Sequence, residues 1–408
     1  MSTAAAGPTE ATAEPLSAAR LARTRAALED GIAAGQHPGA QLYVSLPGQP
    51  GVVLALGARR TGGEDLDGNA VSALPMTDDT LMIWLSATKP ITAVAIGQLW
   101  ERGLLALDDP IAKHLPAFGA EGKERITIRH ALTHTSGIRM LNLPWTKASW
   151  DDVIAQICRT RPEPRWIPGV HAGYHLGSSW FILGALVHRL DGRPFPQYVR
   201  EAMFEPLGMR DAWIGMPADR HAAYGDRLAV TYNTEPAVEG SGPAQMRNWH
   251  RAPHVTACAP GGNGYGPLRE LGRFYEMLRA GGTLDGARIL QPQTVEAMTV
   301  AHRVGLYDKT FRHVLDWGLG FIVNSERYRA QRDDDALVPY GYGEHASPRT
   351  YGHSGFQSSA AFCDPTRGLV VACAVNGNPG EPTHTARFQR IVEAIYVDLG
   401  FDQTPAGL

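Results

Sequence analysis

The sequence predicts an α/β protein of the α+β type, in which one antiparallel sheet is built from both ends of the chain. Strand patterns occur near both ends, whereas helical periodicity dominates residues 96–310. A turn signature at residues 364–368, Asp-Pro-Thr-Arg-Gly, separates two apolar runs and is typical of a hairpin. A mainly helical domain inserted into an antiparallel sheet domain accounts for all three observations.

The predicted elements follow in order along the chain. Residues 16–34 form a helix, residues 40–46 and 51–58 form strands, and residues 80–85 lead into a helix that ends at Gly103. Further helices are predicted at 126–132, 149–158, 180–190, 196–204 and 268–278, strands at 318–323, 350–354, 359–363 and 369–375, and a closing helix at 383–399. The predicted division is a disordered tail at 1–15, a sheet domain at 16–95 and 311–408, and a helical domain at 96–310.

Composition excludes several classes of function. The chain has 408 residues, 44% of them hydrophobic, and its 38 basic and 41 acidic side chains nearly balance. No basic tract predicts nucleic acid as a partner, and no apolar run predicts a membrane span. The Ala- and Thr-rich start lacks the basic and apolar regions of a secretory signal. No C-x-x-C spacing occurs, so a cytoplasmic protein with four reduced, buried thiols is predicted: Cys158, Cys258, Cys363 and Cys373.

Ser86 and Lys89 form a Ser-x-x-Lys pattern where a strand-like run changes to a helical one. Residues three apart share a helix face, so the lysine amine would lie next to the serine hydroxyl and could act as its base. A capping serine and a solvated lysine would give the same spacing. The position favours chemistry, because nucleophiles are often mounted on strand-to-helix turns and a buried lysine is costly without a role.

Two other segments could complete such a site. Tyr174 lies in the turn-rich segment 168–177, where it either packs the loop or acts on a proton. His353 lies in a glycine-containing strand, as a buried structural histidine or a site residue. Metal binding is not predicted, since Pro253 interrupts the His250 and His254 pair. No Rossmann or P-loop pattern occurs, so no cofactor is predicted.

Four motifs together identify a family resemblance. They are Ser86 with Lys89, the run Ile-Thr-Ile-Arg-His-Ala-Leu-Thr-His-Thr-Ser-Gly-Ile at 126–138, Phe-Glu-Pro-Leu-Gly-Met at 204–209, and His-Ser-Gly at 353–355. From about residue 17 to 400 the chain resembles the serine β-lactamase-related superfamily, in its class C β-lactamase and D-alanyl-D-alanine carboxypeptidase branch. That branch includes esterases, D-aminopeptidases and acyltransferases. The resemblance implies a β-lactamase/penicillin-binding-protein-like fold.

The resemblance also implies roles for individual residues. Ser86 would be the nucleophile, and Lys89 its base, directly or through Tyr174, which would serve as a phenolate-like base and later as the acid for the leaving group. The backbone N–H groups of Ser86 and Phe356 would hold the oxyanion. His353 would replace the third-motif lysine and polarise Tyr174 or orient substrate. Histidines as a class can titrate near neutral pH. Further substrate contacts are expected from His175, Leu176, Ser354 and Gly355.

Two departures from the family pattern narrow the function. Leu176 stands where the second motif has Asn, and the Gly-Gly loop at 260–267 lacks its usual Ser-Thr. The prediction is therefore an acyl-enzyme hydrolase of a small-molecule ester or amide, rather than a β-lactamase or D-peptidase. An acyltransferase of a natural-product pathway, with an amine or alcohol acceptor, is the alternative, and a non-catalytic binding protein is the alternative from another class. Two interpretations stay open for five of the tryptophans, which either line an apolar pocket or pack in the core: Trp84, Trp145, Trp150, Trp249 and Trp317.

Overall fold

An eight-stranded antiparallel sheet forms the centre of the computed structural model, which describes residues 14–235, 245–331 and 341–403. Most of the predicted tail, 1–13, lies outside the described residues. Across the sheet the strands are Asp316–Trp317, Ile322–Val323, Tyr351–Ser354, Ser359–Asp364, Leu369–Val375, Gly39–Ser45, Val52–Arg60 and Leu74–Pro75. The predicted fold class is confirmed, since strands from both ends of the chain form this one sheet.

The middle of the sheet joins the two ends of the chain. The strand Gly39–Ser45 pairs with Leu369–Val375 on one side and with Val52–Arg60 on the other. Every residue of Gly39–Ser45 and of Leu369–Val375 is buried, so these strands are covered on both faces. Alternate residues enter different clusters: Leu42 and Val44 pack on one face, and Tyr43 on the other.

The first and last helices cover one face of the sheet. Ala22–Ala33 and Glu381–Asp398 pack together there, and the Asp398 carboxylate accepts hydrogen bonds from the N–H and hydroxyl of Thr24, both at 2.8 Å. This carboxylate from the far end of the chain caps the first helix. Its position explains why the helix begins at Ala22, although the apolar pattern predicted a start at residue 16.

The opposite face supports the helical part of the protein. The helix Leu268–Arg279 packs on it, and Glu276 accepts a hydrogen bond from the Tyr43 hydroxyl at 2.8 Å. Beside it, Lys89–Glu101 is buried along most of its length and packs against Ser178–Asp191. A helix that is apolar all round lies inside a core. The other helices are Ile111–His114, Ile128–Leu132, Trp150–Arg159, Phe195–Val199, Ala218–Tyr224, Ala252–Val255 and Pro292–Thr299.

Several local predictions differ from the structure. Of the run 80–85 only Met82–Ile83 is a strand, in a small sheet with Trp213–Ile214 and Gly264–Gly266. The run 318–323 is the turn and second strand of a hairpin, because Gly320 takes a positive φ of 84°. Within 196–204 the helix changes after Val199 to a π turn. The helix Leu268–Arg279 lies within the segment 96–310, predicted as the helical domain, yet it packs on the large sheet. The division of the chain into a sheet domain and a helical domain stays a prediction.

The four cysteines are all free thiols; Cys258 is half-buried and the other three are buried. Among the described residues, no helix combines the length and apolarity that a membrane crossing requires.

We expect Gly352→Ala to destabilise the fold, because Gly352 lies in the strand Tyr351–Ser354 where another strand passes closely. A Cβ there would collide with the carbonyl oxygen of Ala361 and would lie 2.7 Å from the Phe362 Cα. Overpacking of this kind costs about 1–3 kcal/mol. Thermal denaturation followed by circular dichroism measures the effect, with Gly62→Ala as the control because its Cβ would meet ordinary contact distances. Equal melting temperatures for the two variants would contradict the packing argument.

Candidate active site

Ser86 and Lys89 are joined by a direct contact. The Ser86 Oγ and the Lys89 Nζ are 2.8 Å apart. Ser86 lies in the short 3₁₀ turn Leu85–Thr88, which runs into the helix at Lys89. Side chains three residues apart eclipse one another in a 3₁₀ turn, so the lysine amine lies over the serine hydroxyl. Leu85 takes a positive φ of 49°, a strained conformation at the residue just before the nucleophile candidate.

Lys89 is fully buried without an acidic partner among the described residues. Its Nζ donates to the carbonyl oxygen of Gly261 at 2.7 Å and lies 5.2 Å from the ring centre of Tyr174 and 5.5 Å from that of Trp180. Desolvation in this apolar shell holds the pKa of Lys89 well below its usual value. The neutral amine, which can accept a proton from Ser86, is therefore favoured.

Tyr174 completes the group around Ser86. Its side chain is buried and stacks on Phe311 with ring centres 4.8 Å apart, and Ser86 lies close enough to influence the pKa of its phenol. Burial raises the pKa of Tyr174, so the phenol is protonated at neutral pH. The expected phenolate-like base is therefore disfavoured here. The arrangement instead suits Lys89 as the base and Tyr174 as a neutral proton donor.

A buried ion pair holds the backbone of Tyr174. The Asp308 Oδ1 accepts the Tyr174 N–H at 3.1 Å, and its Oδ2 accepts from the Arg303 guanidinium at 2.9 Å. Arg303 also donates to the carbonyl oxygen of Thr133 at 3.3 Å and lies over the ring of Trp317. Asp308 and Arg303 therefore connect three segments that meet at Tyr174.

Two histidines, His134 and His353, pack near the Tyr174 ring. The His134 ring centre is 4.7 Å from that of Tyr174, and its Nδ1 accepts the His175 N–H at 3.2 Å. The His353 Nδ1 lies 2.7 Å from the Ser354 carbonyl oxygen, so the proton is on that nitrogen. Burial holds the pKa values of His134 and His353 well below the usual value. Burial therefore favours the neutral form of both histidines.

His353 contacts Tyr174 by packing. Their ring centres are 6.0 Å apart, and His353 meets Trp317 edge-on at 5.6 Å. Within the described part of the chain, no hydrogen bond joins the two side chains. The His353 Nε2 is buried without a partner there, which leaves one acceptor at the site.

The two predicted oxyanion donors lie on segments that touch. The Ser359 hydroxyl donates to the carbonyl oxygen of Trp84 at 2.5 Å, and a Cβ at Gly355 would lie 2.6 Å from that same oxygen. Gly355 therefore lets the strand that precedes Phe356 approach the turn that carries Ser86. Among the described residues, neither the Ser86 N–H nor the Phe356 N–H has an acceptor. Both remain available to a developing oxyanion.

A cavity of about 330 Å³ opens over Ser86. Its lining is mainly apolar and includes Leu176, 51% exposed, and Phe356, 46% exposed. Other apolar lining residues include Met140, Leu141, Leu143, Trp145, Phe181 and Trp249. A concave, mainly apolar site with a few polar groups is typical of small-molecule binding.

The other predicted substrate contacts are placed elsewhere. Of His175, Leu176, Ser354 and Gly355, only Leu176 is among the described residues that line the cavity. The His175 ring lies against Trp166, with ring centres 5.6 Å apart, and Ser354 is buried within its strand. Gly355 faces the Trp84 carbonyl. The prediction of substrate contacts for these three residues is therefore not supported by their positions.

Comparison with known proteins agrees with this geometry. The profile described as Beta-lactamase matches residues 24–396. The chain belongs to the Beta-lactamase family. Relatives in this family include "Esterase/beta-lactamase LipL" of Mycobacterium tuberculosis, which is 28% identical over 83% of this chain and 77% of its own, and "Esterase EstB" of Burkholderia gladioli, which is 30% identical over 74% and 79%.

A solved structure confirms the predicted fold of this Beta-lactamase family member. The penicillin-binding protein homologue from Caulobacter crescentus superposes with a TM-score of 0.74 and is 28% identical, covering 94% of this chain and 99% of its own. Together with the two esterases, it supports the predicted resemblance to penicillin-binding proteins and the esterase branch. An enzyme of this family is therefore supported.

Sequence reasoning missed four contributors to the site: the Gly261 carbonyl, His134, Arg303 and Asp308. His134 lies in the run 126–138. This run served as a family motif, but no position in the site was predicted for His134. The Asp308 Oδ1 also accepts hydrogen bonds from the backbone N–H groups of Thr310 and Phe311. An Asp that bonds to the backbone two residues on is typical of a turn, so the sequence carried a signal for this turn. Its bond to Tyr174 spans more than a hundred residues and left no local signal.

We expect Asp308→Asn to lower kcat by about 10–100-fold, because Tyr174 loses the charged group that fixes its backbone and small displacements cost this much. Stopped assays with a short-chain ester, run well below the melting temperature of the variant, measure kcat and KM separately. Asp108→Asn is the control, since Asp108 forms an exposed ion pair with Arg129. A normal kcat in a folded Asp308→Asn enzyme would show that this anchor is dispensable.

Proposed function

We propose that this protein is a serine esterase that hydrolyses small carboxylic esters through an acyl-enzyme on Ser86. The observation that carries the proposal is the 2.8 Å contact between the Ser86 Oγ and the Nζ of a fully buried Lys89 below an apolar cavity. Two relatives with esterase in their names support the same class.

Acylation follows from the positions of the groups. The Ser86 Oγ attacks the ester carbonyl carbon while its proton passes to the neutral Lys89 amine. The carbonyl oxygen becomes negative and accepts hydrogen bonds from the N–H groups of Ser86 and Phe356. When the ester C–O bond breaks, the alkoxide takes a proton from Tyr174, and Lys89 returns a proton to Tyr174. The alcohol leaves, and the acyl group stays on Ser86.

Deacylation reverses the proton movements. A water molecule attacks the acyl carbon while its proton passes through Tyr174 to Lys89, the same oxyanion forms, and the bond to the Ser86 Oγ breaks. Ser86 then regains its proton from Lys89, and the carboxylic acid leaves. An amine or alcohol in place of water would give an amide or ester, which is the acyl-transfer alternative. The proposed substrate is an apolar ester, because the cavity wall from Met140 to Trp145 is rich in apolar side chains.

Ser86→Ala should abolish turnover of p-nitrophenyl esters and labelling by a fluorophosphonate, since no other group holds the acyl intermediate. Tyr174→Phe should retain labelling but lower kcat by about 10²–10⁴-fold, the usual effect of losing an acid or base. Intact-protein mass spectrometry reads the adduct, and Ser72→Ala, at an exposed loop serine, is the control. Labelling and turnover that persist in Ser86→Ala would refute the nucleophile. Unlabelled wild-type protein would favour a non-catalytic binding role.

Nitrocefin should be a poor substrate compared with p-nitrophenyl acetate. Leu176 lines the cavity where the family has an Asn, so a β-lactam's acylamino group would be left without its amide partner. An unsatisfied buried polar group costs about 1–3 kcal/mol, or roughly 5–150-fold in rate. Leu176→Asn should recover part of that loss. Steady-state kcat/KM values for both substrates test this, and comparable wild-type values would contradict it.

A further inference from the structure

A second cavity adjoins the one above Ser86. It has a volume of about 280 Å³, and Trp145 and Phe181 line both cavities. Its remaining wall includes Trp150, Val153 and Cys258. Two spaces that share two aromatic side chains resemble one longer channel interrupted by a wall.

The two aromatic side chains of the wall are held differently. Phe181 is buried in the helix Ser178–Asp191 and contacts Trp150, with ring centres 5.7 Å apart. Trp145 is half-buried in an irregular segment that precedes the helix Trp150–Arg159, and it meets the His254 ring edge-on at 4.9 Å. A substitution of Trp145 therefore shortens the wall without changing a buried side chain of the helix Ser178–Asp191, as a substitution of Phe181 would.

The chemistry of the second cavity limits what can occupy it. Lys147 is the only charged side chain among its described lining residues, and it is exposed. The Cys258 thiol is kept protonated by its surroundings, because burial raises its pKa. Neither group is a buried partner for a charged ligand. Hydrocarbon is therefore the class of ligand that suits this space.

We propose that the second cavity is a subsite for the distal end of an acyl chain, and that Trp145 sets the acyl-length limit of the enzyme. This inference rests on the proposed esterase function. The cavity over Ser86 alone is at the small end of the range for small-molecule sites, so it takes short acyl groups. Chains that reach the indole of Trp145 are excluded, and removal of the indole joins the two spaces.

The test is the acyl-length profile of Trp145→Ala against wild type. kcat/KM is measured for p-nitrophenyl esters from acetate to dodecanoate, and each value is divided by that for acetate. Wild type should decline beyond the short acyl groups. Trp145→Ala should gain about fourfold for each methylene newly buried, and so at least tenfold for the long esters. Trp145→Phe should fall between the two.

Controls separate this inference from the proposed function. Trp100→Ala removes a half-buried tryptophan that lines neither cavity, and its profile should match wild type. A second series keeps the acetyl group and lengthens the alcohol; a gain there, instead of in the acyl series, overturns the acyl assignment. An unchanged acyl profile in a Trp145→Ala enzyme that still forms the Ser86 adduct also overturns it. Failure of wild type to form any adduct overturns the esterase function itself.

Discussion

Burial of the Lys89 amine is the constraint on which the candidate site depends. An ammonium ion in this position would lack a carboxylate partner among the described residues, and desolvation holds the pKa of Lys89 well below its usual value. Tyr174 and Trp180 supply the apolar walls, and the Gly261 carbonyl accepts the remaining hydrogen bond. This shift favours the neutral amine, which is placed to accept a proton from the adjacent Ser86 hydroxyl.

The same dry environment determines how the neighbouring groups behave. Burial raises the pKa of Tyr174 and lowers those of His134 and His353, so every titratable group around Ser86 favours its neutral form. The formal charges nearby, Arg303 and Asp308, neutralise each other behind Tyr174. The site therefore has little net charge before substrate binds, and a negative charge that develops on a substrate oxygen is met by backbone N–H groups.

The parts of the candidate site that depend on short-range sequence patterns could be predicted from the sequence. The Ser-x-x-Lys spacing and the glycine at 355 are short-range patterns, and the structure brings Ser86, Lys89 and Tyr174 together as expected. Errors arose where distant residues decide the outcome. The start of the first helix depends on Asp398, which lies 374 residues from Thr24 in the chain. Substrate contacts were equally hard to predict, because the direction of the His175 side chain follows from packing against Trp166.

The pairing of Gly39–Ser45 with Leu369–Val375 has a consequence for biosynthesis. The strand Val52–Arg60, which pairs with one edge of Gly39–Ser45, is translated directly after it. The other edge of Gly39–Ser45 stays unpaired until Leu369–Val375 has been translated. During that interval an apolar hairpin is exposed to other nascent chains, and contacts of such long sequence separation close slowly. The sheet is therefore completed late in folding. The close approach of Gly355 to the turn at Trp84 is late for the same reason.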